Sequence, residues 1–439
     1  MPSINDRLKA LGVKTGTADL PKPVKTDSHD IGSVLSGSVL STALGETFMY
    51  EEHFAADYRH GLASIRLDVP LTVVSAWAAD PRLSELDLDS FIFLDTETSG
   101  LAGGTGTYAF LVGAARFIEG EFVLKQFFMR DPAEEPALLE ALADFLAPGK
   151  ALVTFNGKAF DAPLLATRYT MHSIPIPFKD FAHLDLLPLA RRLWRARLES
   201  RALKYLEENI LQAPRTTEEV PGYEIPWLYF DYLRTGDARP LKGVFYHNAM
   251  DVVAMAGLLN YTATMLADPF HEGIEHALDV ISIAHLYEDL GQWETAARLF
   301  ERGLQMSLTE ADFWEAVHRL SVLQKRRGDF EEALRLWQQA AAQGHIYAHV
   351  ELAKYYEHRL RDPKLALEWT LSALQDLDRL DLPIYMRKHW QGELTHRRER
   401  LEGKMGKKQA AAGKREPGSE KRKPKHEATA VDGKRQSVK

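Results

Sequence analysis

The stretch Phe91-Ile92-Phe93-Leu94-Asp95-Thr96-Glu97-Thr98-Ser99-Gly100-Leu101 sets a run of strand-forming apolar residues directly against two carboxylates. A continuous apolar run of this kind suits a strand buried on both faces in the middle of a sheet. Side chains alternate along a strand, so Asp95 and Glu97 fall on the same side, at a central strand's carboxyl end. Two carboxylates so close resist sharing a site unless a cation neutralises them or one keeps its proton. Acidic pairs also simply end strands, so the pair by itself leaves both a divalent metal and a local role open.

Outward from this strand, residues 108–117 and 122–129 read as two more, joined across Glu119-Gly120 as a tight hairpin. Pro132 opens a helix whose Leu138, Leu139, Leu142, Phe145 and Leu146 keep helical spacing up to a Pro148-Gly149 stop. A fourth strand at 151–155 precedes a helix from near Phe160. Then come a short strand at 183–187, a long helix to about Leu211, a Pro- and Gly-rich loop around 221–226, and a closing helix at 244–265. Three strands followed by alternating helices and strands make an α/β domain with a mixed sheet, a three-strand meander at its edge and parallel strands beyond. Residues 1–32 read as a disordered N-terminus and 33–270 as the α/β domain, with a preface at 33–83 to which the sequence assigns no role.

From 277 to 402 the pattern is all-helical, and an internal similarity runs through Gly291-Gln292-Trp293-Glu294-Thr295-Ala296-Ala297, Gly328-Asp329-Phe330-Glu331-Glu332-Ala333-Leu334 and Arg361-Asp362-Pro363-Lys364-Leu365-Ala366-Leu367. A unit of about 34 residues, with a turn and then a small residue where two helices meet, resembles the tetratricopeptide repeat. Such a stack either presents a face to a protein partner or simply supports the first domain.

Two further acids stand in telling positions. In Asn156-Gly157-Lys158-Ala159-Phe160-Asp161 the aspartate follows a strand and opens a helix, where it caps the helix or faces the same site as the first pair. In His247-Asn248-Ala249-Met250-Asp251, His247 and Asp251 are four residues apart on an expected helix, stacked on one face. Val252, Val253, Met255 and Leu258 beside them make that face inward-looking. A buried acid and histidine need partners, which a metal and a substrate supply.

These three segments, in this order, resemble the exonuclease motifs of the DEDD superfamily of ribonuclease H-like nucleases. Within it the chain is similar to the bacterial YprB-type, or mitomycin repair factor B-like, proteins. Their signature includes a glycine-rich run after the first motif, here Gly100-Leu101-Ala102-Gly103-Gly104-Thr105-Gly106-Thr107-Tyr108-Ala109-Phe110. The resemblance spans roughly residues 45–375 and includes the tetratricopeptide repeats. It implies a 3′–5′ exonuclease acting on DNA, in preference to RNA, in repair, with a helicase or other protein docked on the repeats. By the same likeness Asp95, Glu97, Asp161 and Asp251 hold two Mg²⁺ or Mn²⁺ ions, His247 is the general base, and Thr98, Gly100 and Leu101 hold the terminal nucleotide, with Leu101 against its base. Two such ions about 4 Å apart suit phosphodiester hydrolysis, and a histidine with an ordinary pKa of about 6.5 suits a base at neutral pH. The chain departs from the family pattern at one point: histidine stands four residues before the last aspartate, where one subtype has tyrosine, and Tyr246 stands five before it. Four residues keep His247 on the Asp251 face, whereas five turn a helix about 140° away. The alternative makes His247 a core histidine and Tyr246 the substrate contact.

Weaker signals surround these. Asn156 and Lys158 are placed to contact substrate, Lys158 through a phosphate, while Gly103, Gly104 and Gly106 would let backbone approach it. The glycine run lacks the phosphate-loop pattern, which argues against nucleoside triphosphate binding. Asp185 is a local cap or a fifth ligand. Arg191, Arg192, Arg195, Arg197, Arg201 and Lys204 cluster around Trp194 as a track for a phosphate backbone or as a solvated face. An interaction protein with an inactive nuclease fold and a structure-selective endonuclease are the rival functions.

The composition bounds all of this. The 439 residues, 45% hydrophobic and 26% charged, exceed what one core usually organises. With no cysteine, thiolate chemistry is excluded, and any metal is held by oxygen or histidine donors, as Mg²⁺ or Mn²⁺ is. The net charge of −8 hides a basic tail, since 403–439 carries +8 and the rest −16. That tail reads as disordered, either merely solubilising or adding salt-sensitive affinity for phosphates. No apolar run is expected to reach a membrane span and no secretory signal is legible, so no membrane association and a cytoplasmic location are expected.

Overall fold

The structure, a computed structural model, describes residues 29–100 and 106–413. The apolar run before Asp95 becomes β5 (Phe91–Thr98). It lies within a seven-stranded sheet together with β1 (Ser38–Thr42), β2 (Gly45–Phe54), β6 (Ala109–Ile118), β7 (Glu121–Phe128), β8 (Ala151–Thr154) and β9 (Ala182–Asp185), in the order β1-β2-β7-β6-β5-β8-β9. From β1 to β5 neighbours are antiparallel, and β5, β8 and β9 run parallel. The mixed sheet and following helices match the expected class. At the β6–β7 turn Glu119 and Gly120 both have positive φ, 50° and 92°, the conformation a two-residue hairpin with the native strand twist requires.

The meander is not at the edge. The unassigned preface supplies β1 and β2, with Phe48 opposite Phe128 and Phe54 opposite Phe122. Only Thr47, Phe48 and Met49 of β2 are buried, so its apolar signal was too short to read. A small β-hairpin of Arg59–His60 and Ala63–Ser64 also belongs to this preface.

Helix α1 (Glu135–Leu146) covers one face of the sheet, α2 (Asp161–Met171) follows β8, and α3 (Leu186–Trp194) follows β9. The long helix expected up to Leu211 is broken instead. The chain leaves helical geometry after Trp194, resumes in a turn at Leu203–Leu206, and ends in a π-helical turn, Glu207–Leu211, closed by Gln212 at φ 54°. The loop expected around 221–226 runs into α4 (Ile225–Thr235), where Pro226 sits in the first turn, a position at which its missing N–H costs nothing. Tyr229 of α4 stacks on Phe110 with ring centroids 4.0 Å apart. Helix α5 (Leu241–Ala267) crosses β5 and β6. By length and composition α5 could cross a membrane, contrary to the expectation that no run is so long. Its most apolar window is, however, 78% buried within the protein, as in a core helix.

Among the described residues seven further helices follow: α6 (Ala277–Asp289), α7 (Trp293–Leu304), α8 (Glu310–Arg327), α9 (Phe330–Ala342), α10 (Ile346–His358), α11 (Pro363–Arg379) and α12 (Ile384–Gly413). The three similar segments fall at the turns before α7, α9 and α11. Gly291, Gly328 and Arg361 hold φ values of 73°, 84° and 55° there, and Ala296, Ala333 and Ala366 are fully buried. Residues 403–413, read as the start of a disordered tail, continue α12 as helix. Residues 29–32, read as part of a disordered N-terminus, are ordered: Asp30 caps a helical turn, Ile31–Val34, with Ile31 buried. Residues 1–28 and 414–439, to which the remaining disorder readings apply, lie outside the described residues.

The chain forms two compact units, which part between Ala316 and Val317. Helices α6 and α7 therefore belong to the unit of the sheet: Arg197 donates to Asp279 at 2.8 Å, Arg192 pairs with Asp289, and the Tyr287 hydroxyl donates to the Leu266 carbonyl at 2.5 Å. The arginines around Trp194 thus serve partly as struts, and Trp194 itself is buried. The second unit has its own apolar centre, built on Ile346, Val350, Ala373, Leu377 and Leu394.

Candidate active site

Strand β8 pairs with β5 only as far as Phe93, so Asp95 and Glu97 project past it at the carboxyl end of parallel strands, where open α/β sheets form their clefts. Across the sheet, β6 places Gly113 opposite Asp95. That glycine leaves room for Asn248 of α5, because a Cβ at position 113 would lie 2.2 Å from Asn248 Oδ1. Asn248 is fully buried; its Nδ2 donates to Asp95 Oδ2 at 2.9 Å, and its Oδ1 accepts from Gln126 Nε2 at 2.9 Å. Gln126 in turn donates to the Phe245 carbonyl at 2.8 Å. A chain of amides from β7 to α5 therefore orients the Asp95 carboxylate.

Asp161 arrives by another route. The chain leaving β8 turns at Asn156, φ 68°, and Asp185 at the end of β9 accepts from the backbone N–H groups of Asn156 (2.7 Å), Lys158 (3.2 Å) and Leu187 (3.1 Å). Asp185 is thus the cap partner. At the start of α2, Asp161 accepts from the Thr96 hydroxyl at 2.5 Å. Asp95, Thr98, Gly100, Asn156 and Asp161 line one cleft of about 530 Å³, with Phe160 exposed at its rim. Lys158 is exposed and does not line it. Leu101, Gly103 and Gly104 lie outside the described residues. The Thr98 hydroxyl donates to the Gly100 carbonyl at 3.0 Å, and the Ser99 N–H to the Tyr108 carbonyl at 3.0 Å, which ties Ser99 to the residue before β6.

Helix α5 turns His247 and Asp251 to the same side. His247 Nε2 is 3.6 Å from Asp251 Oδ2 and 4.0 Å from Glu97 Oε1. Tyr246 turns elsewhere and accepts the Thr216 N–H at 2.9 Å, so His247 is the occupant that meets the carboxylates. Two residues with no signal in the sequence complete this side. Arg215, its side chain 2% exposed, pairs with Asp251, with Glu207 at 2.7 Å and with Glu219 at 3.2 Å. Glu219 lies 3.0 Å from His247 Nδ1.

The electrostatics follow from burial. Asp95 is held well above the usual carboxylate range, first by desolvation and then by the charges of Asp251, Glu97 and Asp161. Desolvation likewise carries Glu97 up to about 8, against the pull of His247, and Asp161 up to about 6. At His247 burial favours the neutral ring. The Glu219 hydrogen bond and the charges of Asp251, Glu97 and Glu219 outweigh it and raise the ring to about 9, above the ordinary value expected of a neutral-pH base. Among the described residues no three His, Asp or Glu side chains are gathered closely enough to form a ready-made cation site. The donors nevertheless fit a hard divalent cation. All are oxygens, they are largely buried, and their mutual repulsion is only partly offset, by Arg215 at Asp251 and by His247 beside Glu97.

A family model described as the RNase_H superfamily matches residues 92–263, which include every one of these carboxylates. The chain is also similar to the uncharacterized protein YprB of Bacillus subtilis (strain 168), at 33% identity over 336 residues, 74% of this chain and 80% of that protein. With its seven-stranded mixed sheet and acidic residues at the end of an interior strand, the segment 92–263 is an RNase_H superfamily domain, and the chain belongs to the family of that Bacillus protein.

Proposed function

We propose that this protein is a divalent-cation-dependent 3′–5′ exonuclease of the four-carboxylate type, acting in the cytoplasm on DNA in preference to RNA, in repair. The superfamily fold supports hydrolysis of nucleic acid. The single observation that carries the finer reading is the gathering of Glu97, Asp161 and Asp251 around Asp95, with His247 beside two of them. Asp95, Glu97, Asp161 and Asp251 would hold two Mg²⁺ or Mn²⁺ ions. When bound, such ions neutralise phosphate charge and make a water more acidic. His247 Nε2 takes the proton of the attacking water; of the groups that keep His247 protonated in the free protein, Glu219 lies outside the ion ligands, and the charges of Asp251 and Glu97 are those the ions would offset. Thr98, Gly100 and Asn156 border the terminal nucleotide, and Asn248 keeps Asp95 from rotating away. The tetratricopeptide-like helices would dock a helicase or another protein.

One observation favours a second reading. The buried ion pair of Arg215 with Asp251 occupies a would-be ligand, as an inactive nuclease fold serving as an interaction scaffold could allow. Single- and double-stranded DNA and RNA, labelled at either end and incubated with Mg²⁺, Mn²⁺ or EDTA, separate the two. Stepwise shortening from the 3′ end that needs the cation upholds the exonuclease. Internal cuts would point to an endonuclease, and inert substrates to the scaffold.

A further inference from the structure

The chemistry assigned to His247 uses one ring nitrogen and leaves the other to be explained. Nδ1 lies 3.0 Å from Glu219 Oε1 and 3.1 Å from the Val220 carbonyl oxygen. A carboxylate and a carbonyl only accept, so Nδ1 carries the hydrogen. Nε2 is then the nitrogen left facing Asp251 and Glu97. The opposite tautomer would set a bare lone pair against two oxygens at hydrogen-bond distance, whereas the oxygens facing Nε2 stand farther off, at 3.6 and 4.0 Å.

Glu219 is itself held. Its side chain is 9% exposed, and Arg215 Nη1 reaches both its oxygens, at 3.2 and 3.3 Å. The same guanidinium gives Nη2 to Asp251 and Nε to Glu207, a fully buried carboxylate that also meets His60 Nε2 at 2.7 Å. One arginine, anchored in the π-helical turn, thereby fixes both the carboxylate from which His247 hangs and the carboxylate beside it. Lys204, 3.7 Å from Glu219 Oε1, is the other cation near it.

We propose that Glu219 is a positioning residue for His247: anchored by Arg215, it sets the tautomer and rotation of the ring so that Nε2 is presented to Asp251 and Glu97. The effect on rate rests on the nuclease reading above, but the tautomer is a property of the chain alone, which lets the two be tested apart. Charged second partners of this kind are commonly worth roughly 10- to 100-fold in activity when removed.

The test uses the full chain, cation-free and labelled with ¹⁵N-histidine, with the His247 ring signals identified by their loss in His247→Gln. At about pH 10.5, where the ring is neutral, the wild type is expected to show a protonated Nδ1 and a bare Nε2. Glu219→Gln, whose amide oxygen still accepts, should keep that pattern. Glu219→Met, of similar length but with no acceptor, should move it toward a protonated Nε2. On DNA, Glu219→Met should lower kcat by roughly 10- to 100-fold with KM within about twofold, and Glu219→Gln should recover most of the loss. A protonated Nε2 in the wild type overturns the proposal without any variant, and an unchanged pattern in a folded Glu219→Met overturns it too. If the tautomer responds as expected but no protein hydrolyses DNA, the positioning stands and the nuclease reading falls.

Discussion

Asp95 is the residue on which the account bears most weight, and its burial has a cost that can be measured. Asp95 and Glu97 bind protons more tightly in the folded chain than in the unfolded one, because desolvation comes first among the causes that raise them. The folded state therefore holds more protons, and the cation-free protein should lose stability as pH rises from about 4, where free carboxylates titrate, toward the value of about 8 at Glu97. Asp95→Asn is expected to raise the cation-free melting temperature at pH 7.5 by about 2–4 °C while abolishing activity. Mn²⁺ should stabilise the wild type and not the variant; calorimetric scans with and without the ion check both. A second residue-scale outcome concerns Gly113, where alanine would press into Asn248. Gly113→Ala should cost about 1–3 kcal/mol by denaturant unfolding and lower activity further by displacing the partner of Asp95. Spacing alone put Asp95 with Glu97 on one side of a strand and His247 with Asp251 on one face of a helix, while Asp161 read equally as a cap; the resemblance to the exonuclease motifs joined them into one set. Asn248 gave a faint sign, an amide in an apolar helix between two marked residues. Arg215 and Glu219 gave none, since they act from an irregular segment that no period describes.

At the scale of elements, sequence periodicity located the strands β5 to β9 and the helices α1, α2 and α5, because each carries a sustained apolar pattern. It failed where local rules were weak. β2 buries three consecutive residues and then turns polar, and the helix after β9 breaks although nothing between Arg195 and Ala202 is a strong breaker. The repeat-like turns were readable from glycine, and the exception among them is informative. Arg361 adopts the left-handed conformation that Gly291 and Gly328 adopt in the equivalent turns. A side chain there costs about 1–2 kcal/mol, partly balanced by the greater freedom glycine gives the unfolded chain. Arg361→Gly should therefore raise stability modestly, by up to about 1 kcal/mol, and Gly328→Ala should lower it by a similar amount, both read from urea unfolding of the full chain.

For the whole molecule, composition and repeats indicated two parts but not where they join. The sequence places the change at 270–277, whereas the compact units part at Ala316, because α6 is bound to the sheet unit by the Arg197–Asp279 pair and the Tyr287–Leu266 hydrogen bond. A chain ending at residue 307 is expected to unfold cooperatively and to keep basal hydrolysis. One ending at residue 270 would leave Arg197 and the end of α5 uncovered, and should aggregate or melt at least several degrees lower, as circular dichroism and gel filtration would show. On the function proposed above, the carboxylates around Asp95 make the whole molecule a cation-dependent phosphodiester hydrolase. Its most direct test is release of nucleotides from single-stranded DNA by wild type and Asp95→Asn, each with Mn²⁺ and with EDTA. Release is expected from the wild type with Mn²⁺ alone; release that persists in EDTA, or in a folded Asp95→Asn, would overturn the hydrolase reading.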